Sequence, residues 1–346
     1  MSDSTPSSAV AEPLPVSPGD GETHFEPINR AYNSVFRPGR LSLGVVVPIE
    51  GYPHGPVPTM ARHLERVRLA EQLGFASIWL RDVPYNVPSF GDAGQTFDPF
   101  VYLGLLAGGT ERIALGVASI ILSLRHPAHV AKAAATADVL SGGRLLLGVA
   151  SGDRPEEYPA LGVPFADRGA RFRESFEHMR RLAGDFPRFG QNEEDEAEDR
   201  VFGAPSGLGD LLPKPVGGKL PLLITGSSRQ DPDWIARHGD GWMIYPRLPT
   251  VQAQVAGEFQ ARVERAGKAP KPVMQPLYVD LAPDPDAPPL PIHLGFRLGS
   301  NVLKAYLKAL QQAGIHHVAL NLRFNQADVD DTLKRLADEV LPDFSS

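Results

Sequence analysis

Eight times along the chain, a short apolar segment is followed by a segment with helical spacing. Strands that are apolar on both faces and alternate with helices predict a parallel sheet. Eight such units predict an α/β fold, the (β/α)8 TIM barrel. The predicted strands are 41–48, 76–80, 113–118, 144–150, 221–225, 241–245, 272–280 and 317–322, and the predicted helices are 58–73, 98–107, 127–140, 167–182, 231–237, 250–266, 301–313 and 327–340.

A doubly wound open sheet is the alternative fold. That fold calls for a glycine-rich phosphate turn after the first strand. The segment in that position, 48–53, reads PIEGYP and is not such a turn. The barrel is therefore the favoured prediction.

Two insertions and a tail interrupt the alternation. Residues 184–219 follow the fourth strand and its helix, and residues 282–299 follow the seventh strand. The acidic run 193–199 is typical of a solvated loop, with a lid or dimer element as the alternative. Residues 1–24 are rich in Ser, Pro and acidic side chains, which predicts flexibility. We expect a flexible tail over 1–35 and a single barrel domain over 36–346.

Charge and cysteine content exclude several classes of function. The 34 basic and 41 acidic side chains leave a net charge of −7, which disfavours nucleic acid and anionic membranes as partners. The absence of cysteine excludes disulfides, thiolate metal sites and cysteine nucleophiles. The histidine pairs 126/129 and 316/317 lack an obvious third ligand, so no metal site is expected. With neither a secretory leader nor a membrane-spanning run, the sequence predicts a cytoplasmic protein.

Small and polar residues follow several of the predicted strands, where barrel enzymes place their chemistry. Residues 225–228 read TGSS, and their backbone N–H groups and hydroxyls suit a phosphate, helped by the following helix N-terminus. An ordinary capped turn is the alternative. Ser151 and Ser119 are similar, weaker candidates. After strand two, Arg81 and Asp82 either form an ion pair that fixes the loop or place a charge over a substrate.

One stretch resembles a known family. Residues 125–152 read RHPAHVAKAAATADVLSGGRLLLGVASG, which is similar to the central signature of the bacterial luciferase-like flavin-dependent oxidoreductases. The segments 70–79, 110–116, 157–165 and 221–242 resemble further parts of the same family in the same order. The resemblance runs from about residue 41 to the end of the chain.

The resemblance implies a site for FMN at the barrel mouth. It implies that the loops after strands five and four hold the phosphate end and that the isoalloxazine lies beside strand three, where the family often has a non-proline cis peptide, here at Ala118–Ser119. Many members carry Glu-His after strand two, where this chain has Arg81-Asp82, our candidate catalytic residues. The candidate cofactor-binding residues are Ala118, Ser119, Ala150, Ser151, Tyr158, Thr225, Gly226, Ser227 and Ser228.

The implied activity is a flavin-dependent oxidoreductase, a monooxygenase that uses reduced FMN and oxygen on a small organic substrate. One alternative is a deazaflavin coenzyme, whose acidic tail Arg125, Arg154 and Arg229 would attract. Others are a non-catalytic flavin-binding relative and a lyase or hydrolase of a phosphorylated metabolite. The implied partners are a small-molecule substrate, a separate flavin reductase and a second copy of the chain in a homodimer.

Overall fold

Eight parallel strands close into a barrel, which confirms the predicted fold. The computed structural model describes residues 24–183 and 210–344. Strands pair in chain order around the barrel, and the last strand pairs in parallel with both the seventh and the first, so the sheet closes. The barrel consists of β1 (Ser42–Val46), β2 (Ser77–Leu80), β3 (Ala114–Ile121), β4 (Leu145–Ala150), β5 (Leu222–Thr225), β6 (Gly241–Met243), β7 (Val273–Leu281) and β10 (His317–Asn321).

Helices cover the outside of the barrel, and each of the eight predicted helices has an observed counterpart. Successive side chains of a strand point to opposite faces of the barrel wall. Leu43 and Val45 belong to the apolar cluster between strands and helices, whereas Val46 belongs to the cluster inside the barrel. The helices are α1 (Arg30–Val35), α2 (His63–Gln72), α3 (Pro99–Gly109), α4 (Pro127–Leu140), α5 (Glu157–Ala160), α6 (Arg168–Ala183), α7 (Pro232–His238), α8 (Pro249–Arg265), α9 (Ser300–Gln312) and α10 (Val329–Glu339).

The insertion after strand seven is a β-hairpin. Strands β8 (Leu290–Ile292) and β9 (Gly295–Leu298) pair antiparallel, and β9 also pairs in parallel with the second half of β7. The hairpin therefore extends the barrel wall at its C-terminal mouth. Of the other insertion, only residues 210–219 are described, and the acidic run 193–199 lies outside the described residues.

The segment before β1 closes the N-terminal end of the barrel. The Tyr32 hydroxyl donates to the Asp240 carbonyl at 2.6 Å, and Asn29 Nδ2 donates to Asp138 Oδ1 at 2.9 Å. Tyr32 and Phe36 pack in one buried cluster with Trp79. The prediction of a flexible tail to residue 35 is therefore wrong for Arg30–Val35, because their apolar side chains gain a surface to bury only when the barrel forms. Residues 1–23 lie outside the described residues.

Trp79 fills the lower barrel interior and accounts for one glycine. A Cβ atom on Gly116 would lie 2.3 Å from Cε3 of the Trp79 ring, so only glycine leaves room for the indole. The Trp79 indole Nε1 donates to His317 Nε2 at 2.9 Å, and Ser42 Oγ lies 2.7 Å from His317 Nδ1. Burial lowers the pKa of His317 to about 3, which keeps the ring neutral. Within the described ranges, no group of three or more His, Asp or Glu side chains could hold a metal ion.

Candidate functional site

The C-terminal mouth of the barrel opens into a cavity of about 1060 Å³. The cavity is slightly larger than the usual size range of ligand pockets, about 300–1,000 Å³. Strand ends and the loops that follow them form its wall, as the fold predicts. The structure brings together around it all the predicted site residues except Tyr158: Arg81, Asp82, Ala118, Ser119, Ala150, Ser151, Thr225, Gly226, Ser227 and Ser228.

The loop after β5 presents unused backbone donors to the cavity. Gly226, Ser228 and Arg229 have positive φ angles of 56°, 44° and 61°, so the chain turns sharply here. The Ser228 hydroxyl donates to the Thr225 carbonyl at 2.8 Å and stabilises the turn. No described residue accepts a hydrogen bond from the Ser227 or Ser228 amide. A Cβ atom on Gly226 would meet no heavy atom within 4 Å, so the space beside the loop is open. Such a turn is a typical anion cradle.

The first donors of the following helix are taken up by its own cap or are absent. The Asp231 carboxylate caps α7 by accepting from the Asp233 amide at 2.8 Å, and Pro232 occupies the first turn. A capped end that carries a carboxylate does not attract a phosphate. The Asp231 cap therefore weakens the case for the helix N-terminus, whose contribution to anion binding stays a prediction. The positive charge near the loop comes instead from the Arg168 and Arg229 side chains, which both line the cavity.

Strand β3 carries an irregularity at the cavity floor. Its register with β4 shifts between Val117 and Ile120. The peptide bond between Ala118 and Ser119 is cis, as the resemblance implies. The Ser119 hydroxyl forms a hydrogen bond with the Thr225 hydroxyl, which joins the ends of β3 and β5. Two of the predicted strand ends thus form one continuous surface.

Tyr158 lies beneath the loop after β4 and does not line the cavity. Its side chain is fully buried, and its hydroxyl contacts the Ser151 carbonyl and lies 2.8 Å from Ser123 Oγ. Ser123 Oγ also donates to the Ser151 carbonyl, at 2.8 Å. Tyr158 therefore positions Ser151 in the structure, and direct contact of Tyr158 with a cofactor stays a prediction.

Arg81 and Asp82 do not pair with each other. The Arg81 guanidinium lies 2.6 Å from Oδ2 of Asp92. The Asp82 carboxylate accepts from Arg125 Nη2 at 2.7 Å and from the Ile121 amide at 3.0 Å. The alternative in which Arg81 and Asp82 pair with each other is thus wrong. Both residues line the cavity, where Asp82 holds the end of β3 and Arg81 lies beside Asp92. A catalytic role for either residue stays a prediction.

Sequence reasoning missed Asp92 and Arg323. Asp92 accepts from the Tyr52 hydroxyl at 3.1 Å, and Arg323 Nη1 lies 3.1 Å from the same carboxylate. Burial alone would raise the pKa of Asp92, but Arg81 beside it holds that pKa below its usual value. Arg323 directly follows the eighth predicted strand, which is the position that could have identified it. Asp92 lies deep in a loop, where no sequence pattern marks it.

Glu157 is a buried carboxyl group beside the cavity. Its side chain is fully buried, and its nearest cation is Arg154 Nη1 at 3.8 Å. Its oxygens make no well-formed hydrogen bond within the described residues, and the Tyr85 backbone only weakly favours the ionised form. Burial raises the pKa of Glu157 from 4.5 to about 6, although Arg154 opposes the shift. The folded state therefore favours the protonated form more than the unfolded state does. Its stabilising contribution is complete below about pH 4.5 and is lost as the pH rises through about 6.

We expect Glu157→Gln to stabilise the protein at pH 8 but not at pH 4.5. The amide keeps the shape of the protonated acid and removes the cost of ionising it, which is about 2 kcal/mol for a shift of this size. Urea unfolding of both proteins at the two pH values measures the difference. Glu156→Gln is the matched control, because Glu156 is exposed. Equal stabilisation at both pH values would contradict the prediction.

Comparison with known proteins gives one family. The model of the luciferase-like monooxygenases matches residues 41–287. An uncharacterized protein of Mycobacterium tuberculosis is 34% identical over 196 residues, which cover 52% of this chain and 66% of that protein. The chain thus spans about two thirds of the length of this relative.

Solved structures share the fold at low sequence identity. EDTA monooxygenase from Chelativorans sp. superposes with a TM-score of 0.70 and 15% identity, covering 88% of this chain and 93% of that one. An F420-dependent secondary alcohol dehydrogenase gives a TM-score of 0.69 and 17% identity, covering 89% of this chain and all of the other. At these identities the likeness establishes the barrel only. The match over 41–287 covers most of the chain, and the chain belongs to the luciferase-like monooxygenase family.

Proposed function

We propose that this protein is a flavin-dependent oxidoreductase, a monooxygenase that binds reduced FMN in the barrel mouth. The observation that carries the proposal is the loop after β5, whose Ser227 and Ser228 amides point to an anion site beside Arg168 and Arg229. A phosphate monoester matches this donor set, because it needs several N–H groups and a local positive charge. The net charge of −7 means that local donors must hold the anion.

The remaining surface of the cavity fits a flat ring. Small residues at the ends of β3 and β4, Ala118 and Ala150, lie between the β5 loop and the opposite wall. Met243, Met274 and Ala319 give the floor an apolar character. When bound, a flavin supplies the redox chemistry itself. The residues of this chain would hold its phosphate, orient its ring and exclude water, which explains why no acid–base pair is needed at the mouth.

A fluorescence titration tests the cofactor. We expect FMN fluorescence to be quenched to saturation at one equivalent per chain. A parallel titration with a deazaflavin coenzyme addresses the alternative, which the arginine side chains lining the cavity favour. If only the deazaflavin binds saturably, the cofactor of this protein is a deazaflavin and not FMN. If neither binds, the proposal is wrong. Oxygen consumption with reduced FMN and organic substrates then separates an enzyme from a non-catalytic flavin-binding relative.

We also propose that the chain acts with a second copy of itself. Helix α3 is apolar nearly all round, yet Val101 is 76% and Leu105 49% exposed. An apolar helix face in water indicates a protein partner. We expect sedimentation equilibrium of the wild-type protein to give twice the chain mass of 37.4 kDa. The double variant Val101→Glu, Leu105→Glu should give the mass of one chain. Leu290→Glu is the control, an exposed apolar residue on the hairpin away from α3. If the wild-type protein sediments with the mass of one chain, the proposed homodimer is wrong.

The remaining partners follow from the chemistry. A monooxygenase that uses reduced flavin needs a source of reduced cofactor, so we propose a separate flavin reductase as a partner. The substrate is a small organic molecule, because the cavity also has to admit it beside the cofactor. No helix in the described parts of the chain is long and apolar enough to cross a membrane. A cytoplasmic location stays a prediction.

A further inference from the structure

Two neighbouring polar side chains in the cavity wall have hydrogen-bonding groups that the protein does not use. Tyr278 and Asn321 are only 8% and 5% exposed, and both line the cavity. The Tyr278 hydroxyl has no hydrogen-bond partner among the described residues. Oδ1 of Asn321 accepts from the Arg323 amide at 3.0 Å, but Nδ2 has no partner within the same residues. Both unused atoms keep accessible surface, so a ligand in the cavity can reach them.

The barrel places these two side chains side by side. Tyr278 on β7 and Asn321 on β10 are directly opposite each other in the parallel pairing of the two strands. Met274 on β7 and Ala319 on β10 belong to the cluster inside the barrel, and residues two or four positions farther along a strand point to the same face. Neighbouring strands are about 4.8 Å apart, so a hydroxyl and an amide at the same level can both donate to one oxygen atom between them.

The charged groups around this pair leave a net positive charge. The groups that act on the Tyr278 hydroxyl are Arg81, Asp92, Arg323 and Tyr245, and the His293 ring packs against the Tyr278 ring. Oδ2 of Asp92 lies 2.6 Å from Nη1 of Arg81 and 3.1 Å from Nη1 of Arg323, so one carboxylate serves two cations. Asp153 lines the cavity on the β4 side, but it is exposed and water screens its charge. This wall therefore favours a ligand oxygen that carries a negative charge.

Both members of the pair are hydrogen-bond donors at neutral pH. Burial raises the pKa of Tyr278, although Arg81 opposes the shift, so the hydroxyl stays protonated. Nδ2 of Asn321 is an amide nitrogen and only donates. Donors that are fixed toward one oxygen stabilise negative charge on it, as in an oxyanion hole.

Aromatic rings flank the pair. The Tyr278 ring lies 5.5 Å from the His293 ring and 5.5 Å from the Phe324 ring, between centroids. The rings of His293 and Phe324 are 6.3 Å apart, and all three residues line the cavity. Such rings offer edges and faces to a further ring. The ligand that fits both features is an aromatic ring that carries an ionised oxygen.

The pair lies across the barrel from the proposed position of the cofactor ring. In the closed order of eight strands, β7 is opposite β3 and β10 is opposite β4. The small residues Ala118 and Ala150, over which we propose that the flat ring of the cofactor lies, are at the ends of β3 and β4. A second aromatic molecule held by Tyr278 and Asn321 would therefore lie between this pair and the cofactor ring.

We propose that Tyr278 and Asn321 bind the ionised hydroxyl oxygen of a phenol, which is then the substrate class of this protein. The inference rests on the proposed function, because it names the substrate on which the bound cofactor would act. The hydroxyl proton of the phenol leaves to the solvent on binding. The remaining oxygen accepts one hydrogen bond from the Tyr278 hydroxyl and one from Nδ2 of Asn321.

The probe is 4-nitrophenol, whose ionised form is yellow and whose neutral form is nearly colourless. It is titrated into the full chain, with and without FMN, and followed as a difference spectrum. At a pH about one unit below the pKa of the free probe, about a tenth of the free probe is ionised. We expect the site to lower the pKa of the bound probe by about one unit or more, so that about half or more of it is ionised. A purely apolar pocket would shift the probe the other way.

Two substitutions test the donors separately. Tyr278→Phe keeps the ring and removes the hydroxyl, and Asn321→Asp keeps the acceptor for the Arg323 amide and replaces Nδ2. Each should return the ionised fraction of the bound probe to that of the free probe or below. Binding of 4-nitroanisole, which has no proton to lose, should stay unchanged in Tyr278→Phe. Tyr306→Phe is the matched control, because its hydroxyl contacts the Arg247 carbonyl at 3.3 Å outside the cavity, and it should behave like the wild type.

The results distinguish this inference from the proposed function. The phenol site is wrong if 4-nitrophenol does not bind, binds mainly as the neutral form, or keeps its ionised fraction in both variants. It is also wrong if 4-nitrobenzoate binds more tightly than 4-nitrophenol at a pH where both are ionised. If FMN binds in those cases, the proposed function stands without the inference. If the ionised probe binds through Tyr278 but FMN does not bind, the phenol site stands and the proposed function fails. Thermal unfolding midpoints identify a variant that fails to fold, in which case the other variant decides.

Discussion

Ser227→Asp is expected to abolish FMN binding while leaving the fold intact. The Ser227 side chain is exposed at the β5 loop, so the protein loses no packing when it is replaced. A carboxylate there would face the cofactor phosphate. Two unit charges about 4 Å apart at the effective dielectric constant of a protein surface repel by about 4 kcal/mol. Solvent screening reduces this value, and we expect a loss of affinity of about 100-fold or more in a fluorescence titration.

Ser227→Asn is the matched control for charge. It has nearly the same shape as aspartate, and its amide can still donate, so FMN affinity should stay within a few-fold of the wild type. Thermal unfolding midpoints of both variants should match that of the parent protein. If Ser227→Asp binds FMN with unchanged affinity, the phosphate does not lie at this loop, and the proposal that residues 225–228 bind it is wrong.

Arg144→Leu is expected to produce the largest loss of stability. Arg144 is only 3% exposed and donates five hydrogen bonds. Its acceptors are the Ser141 carbonyl before β4, the Ile113 carbonyl before β3, the Ala107 carbonyl of α3, and the carbonyl and hydroxyl of Thr110. Leucine would leave these buried acceptors without donors, each at about 1–3 kcal/mol. We expect a loss of about 4 kcal/mol or more, measured by urea unfolding, which is a large share of the stability of a typical domain.

Two further substitutions test the reason for that loss. Arg144→Lys keeps the charge but has fewer donors, so it should fall between the parent and the leucine variant. Arg112→Leu removes an exposed arginine nearby and should change stability by less than about 0.5 kcal/mol. If Arg144→Leu and Arg112→Leu unfold at the same urea concentration, the hydrogen bonds of Arg144 do not stabilise the fold.

Much of the barrel could be predicted from local patterns. Strand 144–150 is apolar on both faces, and helix 127–140 has small residues on the face that packs, so each element is specified by its own residues. The helix Arg30–Val35 could not be predicted in this way. It is only 6 residues long, and the surface that stabilises it comes from strands that follow much later in the chain.

The candidate site could likewise be predicted only in part. Positions at strand ends, such as Ser119 and Gly226, were predictable because the fold dictates where strand ends meet. The ion-pair partners of Arg81 and Asp82 could not be predicted, because closure of the barrel and the path of a long loop decide which charged side chains meet. Asp92 reaches Arg81 and Arg323 only through that loop.

The helix that closes the base of the barrel also affects where the folding unit begins. Family resemblance starts at residue 41, after α1 has ended. A protein shortened to that point would keep every barrel strand yet expose Trp79, Leu146 and Leu223, which α1 and Phe36 now cover. Likeness between sequences thus marks the part that relatives share. The part that covers the apolar base of the barrel starts earlier, with residues that the family signature does not include.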